Sequence, residues 1–250
     1  SDLSEFNSLQ ENDTWSEVFE LPKNEKVKKI TTKWIFNIKF DGVKEIAKAR
    51  LVARGFQDKT DYRTDEIYAP VANLTVIRWL ISVAHKFKMQ LWAIDVKTAF
   101  LYGELDHPLY LSIPQGLRTS PGTVALKLNR AIYGLKISSK KWFTKFTNVL
   151  VDIGFTNFVP DQCVFFRVDS HSSTFIVLYV DDCLIACTDP AHGELLVEHL
   201  TKIFKIRVMK KPKIFVGLEI ESSPNSFWLS QRLYIEKLAR RFDVFNCSPV

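Results

Sequence analysis

Hydrophobic side chains occupy every second position of segment 34–40, WIFNIKF. A period of two is typical of a β-strand, in which successive side chains point to opposite faces. Asp41-Gly42 follows, a residue pair that tight hairpin turns prefer. In the returning segment, Lys48, Arg50 and Arg54 stand at even spacings and are expected to share one face. The pattern predicts a basic β-hairpin over this part of the chain.

Four later segments repeat apolar residues every three or four positions, which predicts helices over 73–87, 138–154, 188–204 and 230–242. We expect caps at Asn73 or Thr75, at Asp189 before Pro190, and at Ser230, with Gly154 ending the second helix. The residues expected to face inward are Ile77, Leu80, Ile81, Ala84 and Phe87 in the first helix, Trp142, Phe146, Val149 and Ile153 in the second, and Leu233, Leu238 and Phe242 in the last.

Short apolar runs lead into carboxylates at two places. LWAI precedes Asp95, and segment 175–187, FIVLYVDDCLIAC, places Asp181 and Asp182 between two apolar runs. We expect a buried strand ending near Asp95 and two strands joined by a tight turn at the Asp pair. Strands mixed with helices, and at least one direct hairpin, predict an α+β fold whose antiparallel sheet is backed by helices.

The aspartate pair has two interpretations. Aspartate tolerates turn conformations, so the pair can be an ordinary polar turn. If the strand ending near Asp95 is a neighbour, however, two or three carboxylates converge and repel each other unless a cation is present. Oxygen ligands suit Mg²⁺, and two such ions about 3.5–4 Å apart can serve a phosphoryl transfer. The second interpretation predicts a magnesium site.

Charge and composition narrow the choice of partner. The 250 residues have a net charge of +6 and suffice for one large domain or two modest ones. Segments 127–145 and 202–213 each contain six Lys or Arg and no Asp or Glu. Basic segments interleaved with aromatic residues favour a nucleic-acid partner, and solvated lysine faces are the alternative. No apolar run approaches the roughly 18 residues of a membrane span, so no membrane partner is expected.

The four cysteines have no paired spacing of the kind found in zinc sites or disulfide frameworks. We expect reduced, buried thiols in an intracellular protein.

Eleven strings in order resemble the reverse transcriptase domain of copia-type LTR retrotransposons, over residues 12–250. They are NDTWSEV, KWIFNIKF, KARLVARGFQ, YAPVA, DVKTAFLYGEL, YLSIPQG, LNRAIYGLK, PDQCVFF, LYVDD, FVGLEI and LSQRLYIEKL. The resemblance implies a right-hand polymerase fold comprising fingers and palm. Residues 20–90 are then mainly fingers with the basic hairpin, and residues 91–250 are mainly palm with part of the fingers. Connection, RNase H and integrase regions are not represented.

The implied activity is RNA-directed DNA polymerisation, in which a primer is extended with dNTPs by two-metal-ion nucleotidyl transfer. The implied cofactor is Mg²⁺, two ions, with Mn²⁺ as a substitute. The implied partners are an RNA or DNA template with its primer, dNTPs, and the RNase H and integrase parts of a Pol polyprotein. The expected localisation is a cytoplasmic virus-like particle with a nuclear phase. Oligomeric state stays open.

The resemblance also implies roles for individual residues. Asp95, Asp181 and Asp182 are the catalytic and metal-binding carboxylates, with Asp181 the ligand of both ions and Asp182 in support. The implied substrate-binding residues are Phe100 as the gate against a ribose 2′-OH, Gly134, Tyr179, and one or more of Lys48, Arg50 and Arg54 for the triphosphate. The implied nucleic-acid contacts are Tyr133, Lys136, Lys140 and Gly217. An ordinary core role for Phe100 and plain surface roles for the three basic residues remain open.

The chain departs from the family pattern at three places: segment 133–140, Tyr102 in place of a common Asn, and segment 208–210, VMK, in place of a common Asp-Leu-Gly. The family commonly reads Tyr-Gly-Leu-Lys-Gln-Ala-Pro-Arg where this chain reads YGLKISSK, with Ile137, Ser139 and Lys140 in place of Gln, Pro and Arg. A catalytically inactive nucleic-acid-binding remnant is therefore the alternative to an active polymerase. An unrelated Mg²⁺-dependent phosphohydrolase using the same carboxylates is a further alternative.

Overall fold

The computed structural model of the chain describes residues 2–23, 27–40, 45–223 and 226–247. The chain divides into two compact units. The first contains residues 1–70 and 98–149, and the second contains residues 71–97 and 150–250. Helices and several antiparallel sheets are mixed along the chain, which confirms the α+β class. The assignment of fingers and palm stays a prediction.

The helices and strands follow one another along the described chain, with short 3₁₀ turns at Gly55–Gln57 and Ala99–Tyr102. The helices are α1 (Asp2–Glu11), α2 (Thr64–Ile67), α3 (Leu74–Lys86), α4 (Ser138–Asp152), α5 (Pro190–Ile203) and α6 (Arg232–Arg241). The strands are β1 (Trp15–Val18), β2 (Lys29–Ile30), β3 (Thr32–Phe40), β4 (Glu45–Ala53), β5 (Gln90–Val96), β6 (Tyr110–Leu111), β7 (Ala125–Leu128), β8 (Thr156–Asn157), β9 (Val164–Val168), β10 (Ser173–Tyr179), β11 (Asp182–Cys187), β12 (Ile206–Lys210), β13 (Ile214–Phe215), β14 (Leu218–Ser223) and β15 (Ser226–Ser230).

The first unit contains a four-stranded sheet in the order β1-β7-β6-β2 and the separate hairpin β3–β4. The β2–β6 pair is parallel, and the other pairs of this sheet are antiparallel. Its core is aliphatic and draws on the sheet, the hairpin and α1. Its members include Leu9, Ile30, Leu51, Leu111, Leu126, Leu128 and Ile137, all buried.

The hairpin confirms the period-two prediction. On β4, the buried Ala49, Leu51 and Ala53 alternate with the more exposed Lys48 and Arg50, so these two basic residues share a face. Arg54 is exposed but lies just beyond the end of the strand, so it is not part of that strand face. The expected turn at Asp41-Gly42 lies outside the described residues.

The second unit is built on a six-stranded antiparallel sheet in the order β12-β5-β11-β10-β9-β8. Successive residues of β5 and β11 are buried on both faces of the sheet, as their nearly continuous apolar sequences require. Helices α3 and α5 pack on this sheet. The two strands with the predicted carboxylates therefore lie side by side near its centre.

Local helix signals are largely confirmed. Asn73 caps α3 by accepting a hydrogen bond from the Thr75 amide, which resolves the choice between those two residues. Asp189 caps α5 in the same way, with Pro190 next. The expected inward-facing residues of α3 and α4 are buried, except at the two helix ends. Ile153 lies just beyond α4 and is half-buried, whereas Phe87 follows α3 and is 60% exposed, so its predicted burial was wrong.

The last helix corrects the sequence-based prediction more substantially. Ser230 ends β15, and the residue at the N-cap position of α6 is Gln231, without a side-chain cap of its own. Leu233 and Phe242 are exposed, and Leu238 is half-buried. The α6 amide of Leu233 instead donates to the buried carboxylate of Glu219, at 2.9 Å. A residue of β14 therefore supplies the cap, which no local pattern indicated.

All four cysteines are free thiols. Cys163, Cys183 and Cys187 are buried, as expected, but Cys247 is exposed, so the prediction was wrong for that residue. Within the described parts of the chain, no helix combines the length and apolarity needed to cross a membrane.

Candidate active site

Two carboxylates face each other across neighbouring strands of the six-stranded sheet. The antiparallel register pairs Asp95, near the end of β5, with Asp182, the first residue of β11. Residues directly opposite in such a pair project from the same face, with Cβ atoms about 4.5–5.5 Å apart. Both residues are half-buried. The fold therefore brings together two carboxylates that lie far apart in the sequence.

Asp181 occupies the tight turn beside this pair. Tyr179 pairs with Asp182, so Val180 and Asp181 form the two-residue connection between β10 and β11. Val180 has φ of 58°, a left-handed conformation that is rare for a β-branched residue and fits the first central position of a type II′ turn. The carbonyl of Asp181 accepts a hydrogen bond from the Val96 amide, at 2.9 Å. The turn is thereby tied to the end of the strand that carries Asp95.

The negative charge of this corner acts on its surroundings. Burial raises the pKa of the Cys183 thiol, and the charges of Asp182 and Asp181 raise it further. Like charges directly opposite one another destabilise a sheet, so the Asp95–Asp182 pair favours a nearby positive charge. The register sets one such charge, Arg207 of β12, opposite Asp95. Carboxylate oxygens are the ligands that Mg²⁺ and Mn²⁺ prefer. The chemistry of the three donors therefore fits a divalent cation.

The arrangement is not a closed metal cage. Within residues 2–23, 27–40, 45–223 and 226–247, no group of three or more His, Cys, Asp and Glu side chains is arranged so that it could hold a metal ion. Mg²⁺ is commonly bound by only one or two carboxylates together with water and substrate phosphates. The open pair of Asp95 and Asp182, with Asp181 next to it, is compatible with that mode.

In the first unit, a second cluster joins Arg50 and Phe100, expected to bind substrate, to Tyr133, expected to contact nucleic acid. The Arg50 guanidinium lies 4.8 Å from the centroid of the Tyr133 ring. The Phe100 ring contacts the same tyrosine edge-on, with centroids 4.6 Å apart. Phe100 is half-buried. Arg50 is thus distinguished from the exposed Lys48 and Arg54 by its place in this aromatic cluster.

Two close backbone contacts fix the segment that carries Tyr133. The Ala53 amide donates to the Tyr133 carbonyl at 2.7 Å. Gly134 has φ of 92°, and a Cβ there would lie 2.1 Å from the Ala53 carbonyl oxygen. A Cβ on Gly55 would lie 2.2 Å from the Gly134 carbonyl oxygen. Only glycine at both positions permits this approach between the end of the hairpin and segment 133–136.

The remaining predicted site residues lie at separate places. Lys136 donates to the Asp58 main-chain carbonyl, and the ammonium of Lys140, on α4, lies 6.0 Å from the Phe143 ring centroid. Gly217 lies in the second unit, in the turn between β13 and β14, where Phe215 pairs with Leu218. Val216 and Gly217 both have positive φ, 48° and 76°, as a type I′ turn requires.

Comparisons with known proteins identify the family. The family described as "Reverse transcriptase (RNA-dependent DNA polymerase)" matches residues 12–250. The Pol polyprotein of transposon TNT 1-94 from Nicotiana tabacum is 36% identical over 98% of this chain and 19% of its own length. That of transposon RE1 from Arabidopsis thaliana is 34% identical over 99% of this chain and 17% of its own length. The chain belongs to the reverse transcriptase family.

The resemblance to copia-type retrotransposon Pol proteins is thereby confirmed. The Ty1-LR2 Gag-Pol polyprotein of Saccharomyces cerevisiae is a more distant relative, 26% identical over 82% of this chain and 11% of its own length. This reverse transcriptase chain spans about a fifth or less of the length of these relatives.

The structure brings the expected residues together in two groups. Asp95, Asp181 and Asp182 adjoin in the second unit, and Tyr179 pairs with Asp182 there. The interpretation of the pair as a mere polar turn holds for the position of Asp181 but not for Asp182, which belongs to β11. The individual roles of these residues stay predictions.

Several residues that shape these two groups had no sequence signal strong enough to select them. Gly55 was part of a recognised string, but only its contact with Gly134 shows why glycine is needed there. The buried Asp58 and the half-buried Tyr62 form a hydrogen-bonded pair beside Lys136, at 2.6 Å. Their spacing of four residues is also common in loops, which is why the pattern alone could not single them out.

Proposed function

We propose that this chain is the polymerase part of a retrotransposon reverse transcriptase and extends a primer on an RNA template with dNTPs. The observation that carries the proposal is the register of β5 and β11, which sets Asp95 opposite Asp182 next to the turn of Asp181. Membership of the family supports it. We assign the second unit mainly to the palm and the β3–β4 hairpin to the fingers, as the resemblance implies.

Asp95, Asp181 and Asp182 are the residues that would hold Mg²⁺. When bound, the ions lower the pKa of the primer 3′-hydroxyl and neutralise charge on the triphosphate and the leaving pyrophosphate. The protein itself contributes position. The hydrogen bond from Val96 to the Asp181 carbonyl and the strand register hold the carboxylates in place without a ligand, so less order has to be gained on binding.

We assign the triphosphate contact to Arg50 among the three basic candidates. Its guanidinium is held over the Tyr133 ring, and a guanidinium can donate in a fork to phosphate oxygens while it stacks on an aromatic face. Phe100, on the edge of the same tyrosine, is the proposed gate against a ribose 2′-OH. Template contacts are expected to be stacking and phosphate contacts, because a copying enzyme accepts every sequence.

The departure from the family pattern in segment 133–140 is accommodated by the fold. Ile137 is 1% exposed and belongs to the apolar core of the first unit. The Ser138 hydroxyl donates to the Ile132 carbonyl at 2.5 Å. Ile137 and Ser138 therefore pack without an orphaned polar group, so this part of the departure does not disturb the core of the first unit.

Primer extension on an RNA template with dNTPs and Mg²⁺ tests the proposal. We expect wild-type protein to extend the primer, and Asp181→Asn and Asp182→Asn to abolish extension. Asp152→Asn, which removes an exposed carboxylate elsewhere in the second unit, is the matched control and should leave extension unchanged. Mn²⁺ in place of Mg²⁺ should support extension by the wild type.

Each alternative has its own outcome in this assay. A nucleic-acid-binding remnant would retain primer–template but not extend it, with or without the substitutions. A phosphohydrolase would release phosphate without primer growth. Phe100→Ala is expected to raise ribonucleotide incorporation, and unchanged sugar discrimination would remove Phe100 from the gate role.

A further inference from the structure

Lys136 makes its described contacts within the protein. Its ammonium donates to the main-chain carbonyl of Asp58 at 2.8 Å and lies 5.9 Å from the Tyr62 ring centroid. A lysine that contacts nucleic acid presents its ammonium to phosphate. Lys136 is exposed, but its ammonium is directed at a carbonyl and an aromatic face of the first unit, both of which attract a cation.

Asp58 and Tyr62, which contact the Lys136 ammonium, are themselves fixed in position by hydrogen bonds. Asp58 is 5% exposed, and its carboxylate accepts hydrogen bonds from the Tyr62 hydroxyl at 2.6 Å and from Thr60. The Tyr62 hydroxyl also lies 2.9 Å from Nε2 of His107. Since the phenol gives its single proton to Asp58, it accepts from a protonated Nε2. Burial and the hydrogen bond to Asp58 both raise the pKa of Tyr62, so it keeps this proton.

The contacts of Lys136 with Asp58 and Tyr62 are connected through the backbone to the Tyr133 ring. Segment 53–58 and segment 133–136 meet at the Ala53–Tyr133 hydrogen bond, at the Gly55–Gly134 approach and at the Asp58–Lys136 contact. The Tyr133 ring supports Arg50. A shift of segment 133–136 therefore displaces the group that we assign to the triphosphate.

We propose that Lys136 is a positioning residue, anchored by Asp58 and Tyr62, that sets Tyr133 and Arg50 for the incoming nucleotide and makes no phosphate contact with primer–template. The proposal rests on the proposed function and replaces the nucleic-acid contact expected for Lys136 from the resemblance. Lys140, in the first turn of α4, keeps that expected role and provides the comparison.

The salt dependence of primer–template binding separates the two roles. A plot of log K against log salt concentration has a negative slope. Each phosphate contact that is lost reduces the magnitude of this slope by about one. Lys136→Met, which keeps the length of the side chain, should leave the slope at the wild-type value. Lys140→Met should reduce the magnitude of the slope by about one. If the magnitude of the slope is about one smaller in Lys136→Met than in the wild type, the proposal is overturned. Failure of the wild-type protein to bind primer–template would also overturn it.

Kinetics test the positioning role itself. Lys136→Met should raise the KM for dNTP by about tenfold with a smaller change in kcat, because a misplaced contact weakens nucleotide binding. Tyr62→Phe, which retains the ring but removes both hydroxyl hydrogen bonds, should act in the same direction. The double variant should be no worse than the worse single variant, because both changes release the same anchor. Additive effects, or an unchanged KM in either single variant, would overturn the proposal.

The two proposals fail in different ways. If wild-type protein binds primer–template but does not extend it, the proposed function fails, while the salt slope of Lys136→Met still decides whether this lysine contacts phosphate. If Lys136→Met does not fold, as judged by a lost thermal transition, Tyr62→Phe alone decides, since an unchanged KM for dNTP in that variant refutes the anchor.

Discussion

Alanine in place of Gly134 is expected to destabilise the first unit far more than alanine in place of Gly116. The two glycines have nearly the same conformation, with φ of 92° and 87°. They differ in their surroundings. A Cβ on Gly134 would lie 2.1 Å from the Ala53 carbonyl oxygen and 2.6 Å from a methyl of Val52, whereas a Cβ on Gly116 would meet no described atom within 4 Å.

The difference in cost follows from these distances. Both variants pay about 1–2 kcal/mol for a left-handed L-residue. Only Gly134→Ala also forces segment 133–136 away from Ala53, at about 1–3 kcal/mol for overpacking. The displacement lengthens the 2.7 Å hydrogen bond from the Ala53 amide to Tyr133 and leaves a buried donor unpaired, at about 1–3 kcal/mol. Gly134→Ala should therefore cost about 2–6 kcal/mol more than Gly116→Ala.

Urea unfolding of the wild type and both variants measures this difference. With an m-value of about 1–3 kcal/mol per molar, the midpoint of Gly134→Ala should lie at least about 0.7 M below that of Gly116→Ala. Hydrogen exchange at the Ala53 amide gives a local measure, and protection there should fall only in Gly134→Ala. Equal midpoints for the two variants would show that the close backbone approach at Gly134 does not add the destabilisation expected for Gly134→Ala.

Further predictions concern packing, capping, charge and thiol reactivity. Gly193→Ala should destabilise the second unit by about 1–3 kcal/mol, because the new Cβ would lie 2.9 Å from the Cys187 sulfur, and adding Cys187→Ala should recover part of the loss in the same unfolding assay. Glu219→Ala should cost about 1–2 kcal/mol through loss of the α6 cap, with faster amide exchange confined to the start of that helix, and uniform exchange rates would argue against the cap. Burial alone would raise the pKa of Asp58, but hydrogen bonds from Tyr62 and Thr60 outweigh it and lower the pKa below its ordinary value of 3.8. The stabilisation from ionised Asp58 is therefore complete above that value and lost as pH falls through the folded-state pKa, so the stability gap between wild type and Asp58→Asn should narrow in that acidic range. Of the four thiols, that of Cys247 should react first with a disulfide reagent under native conditions, and equally fast reaction of the buried thiols would contradict the packing.

The sequence by itself determined the elements whose signals are local. The caps at Asn73 and Asp189, the apolar stripe of α3 and the alternation along β3 and β4 each depend on residues within about four positions of one another. Hydrogen bonds of a helix turn and the two faces of a strand operate over that distance. These features could therefore be predicted without knowledge of the rest of the chain.

The carboxylates Asp95, Asp181 and Asp182 were predicted by pattern as site candidates, but their arrangement was not. Apolar runs ending at Asp95 and around Asp181 and Asp182 indicated strands. Their sequence could not state that Asp182 rather than Asp181 stands opposite Asp95, because a register shift of one residue reverses which side chains share a face. The turn at Val180 and the pairing of β5 with β11 decide that register.

Only the tertiary structure decided the contacts between distant segments. Glu219 caps α6 from another strand, Gly55 meets Gly134, and Lys136 is anchored at Asp58. Leu233 and Phe242 were expected to face inward but are exposed, and the helical spacing of apolar residues could not have predicted this. An apolar stripe shows that one face of a helix is apolar. Whether that face is buried depends on whether another segment packs against it, and this is decided by the packing of the whole unit.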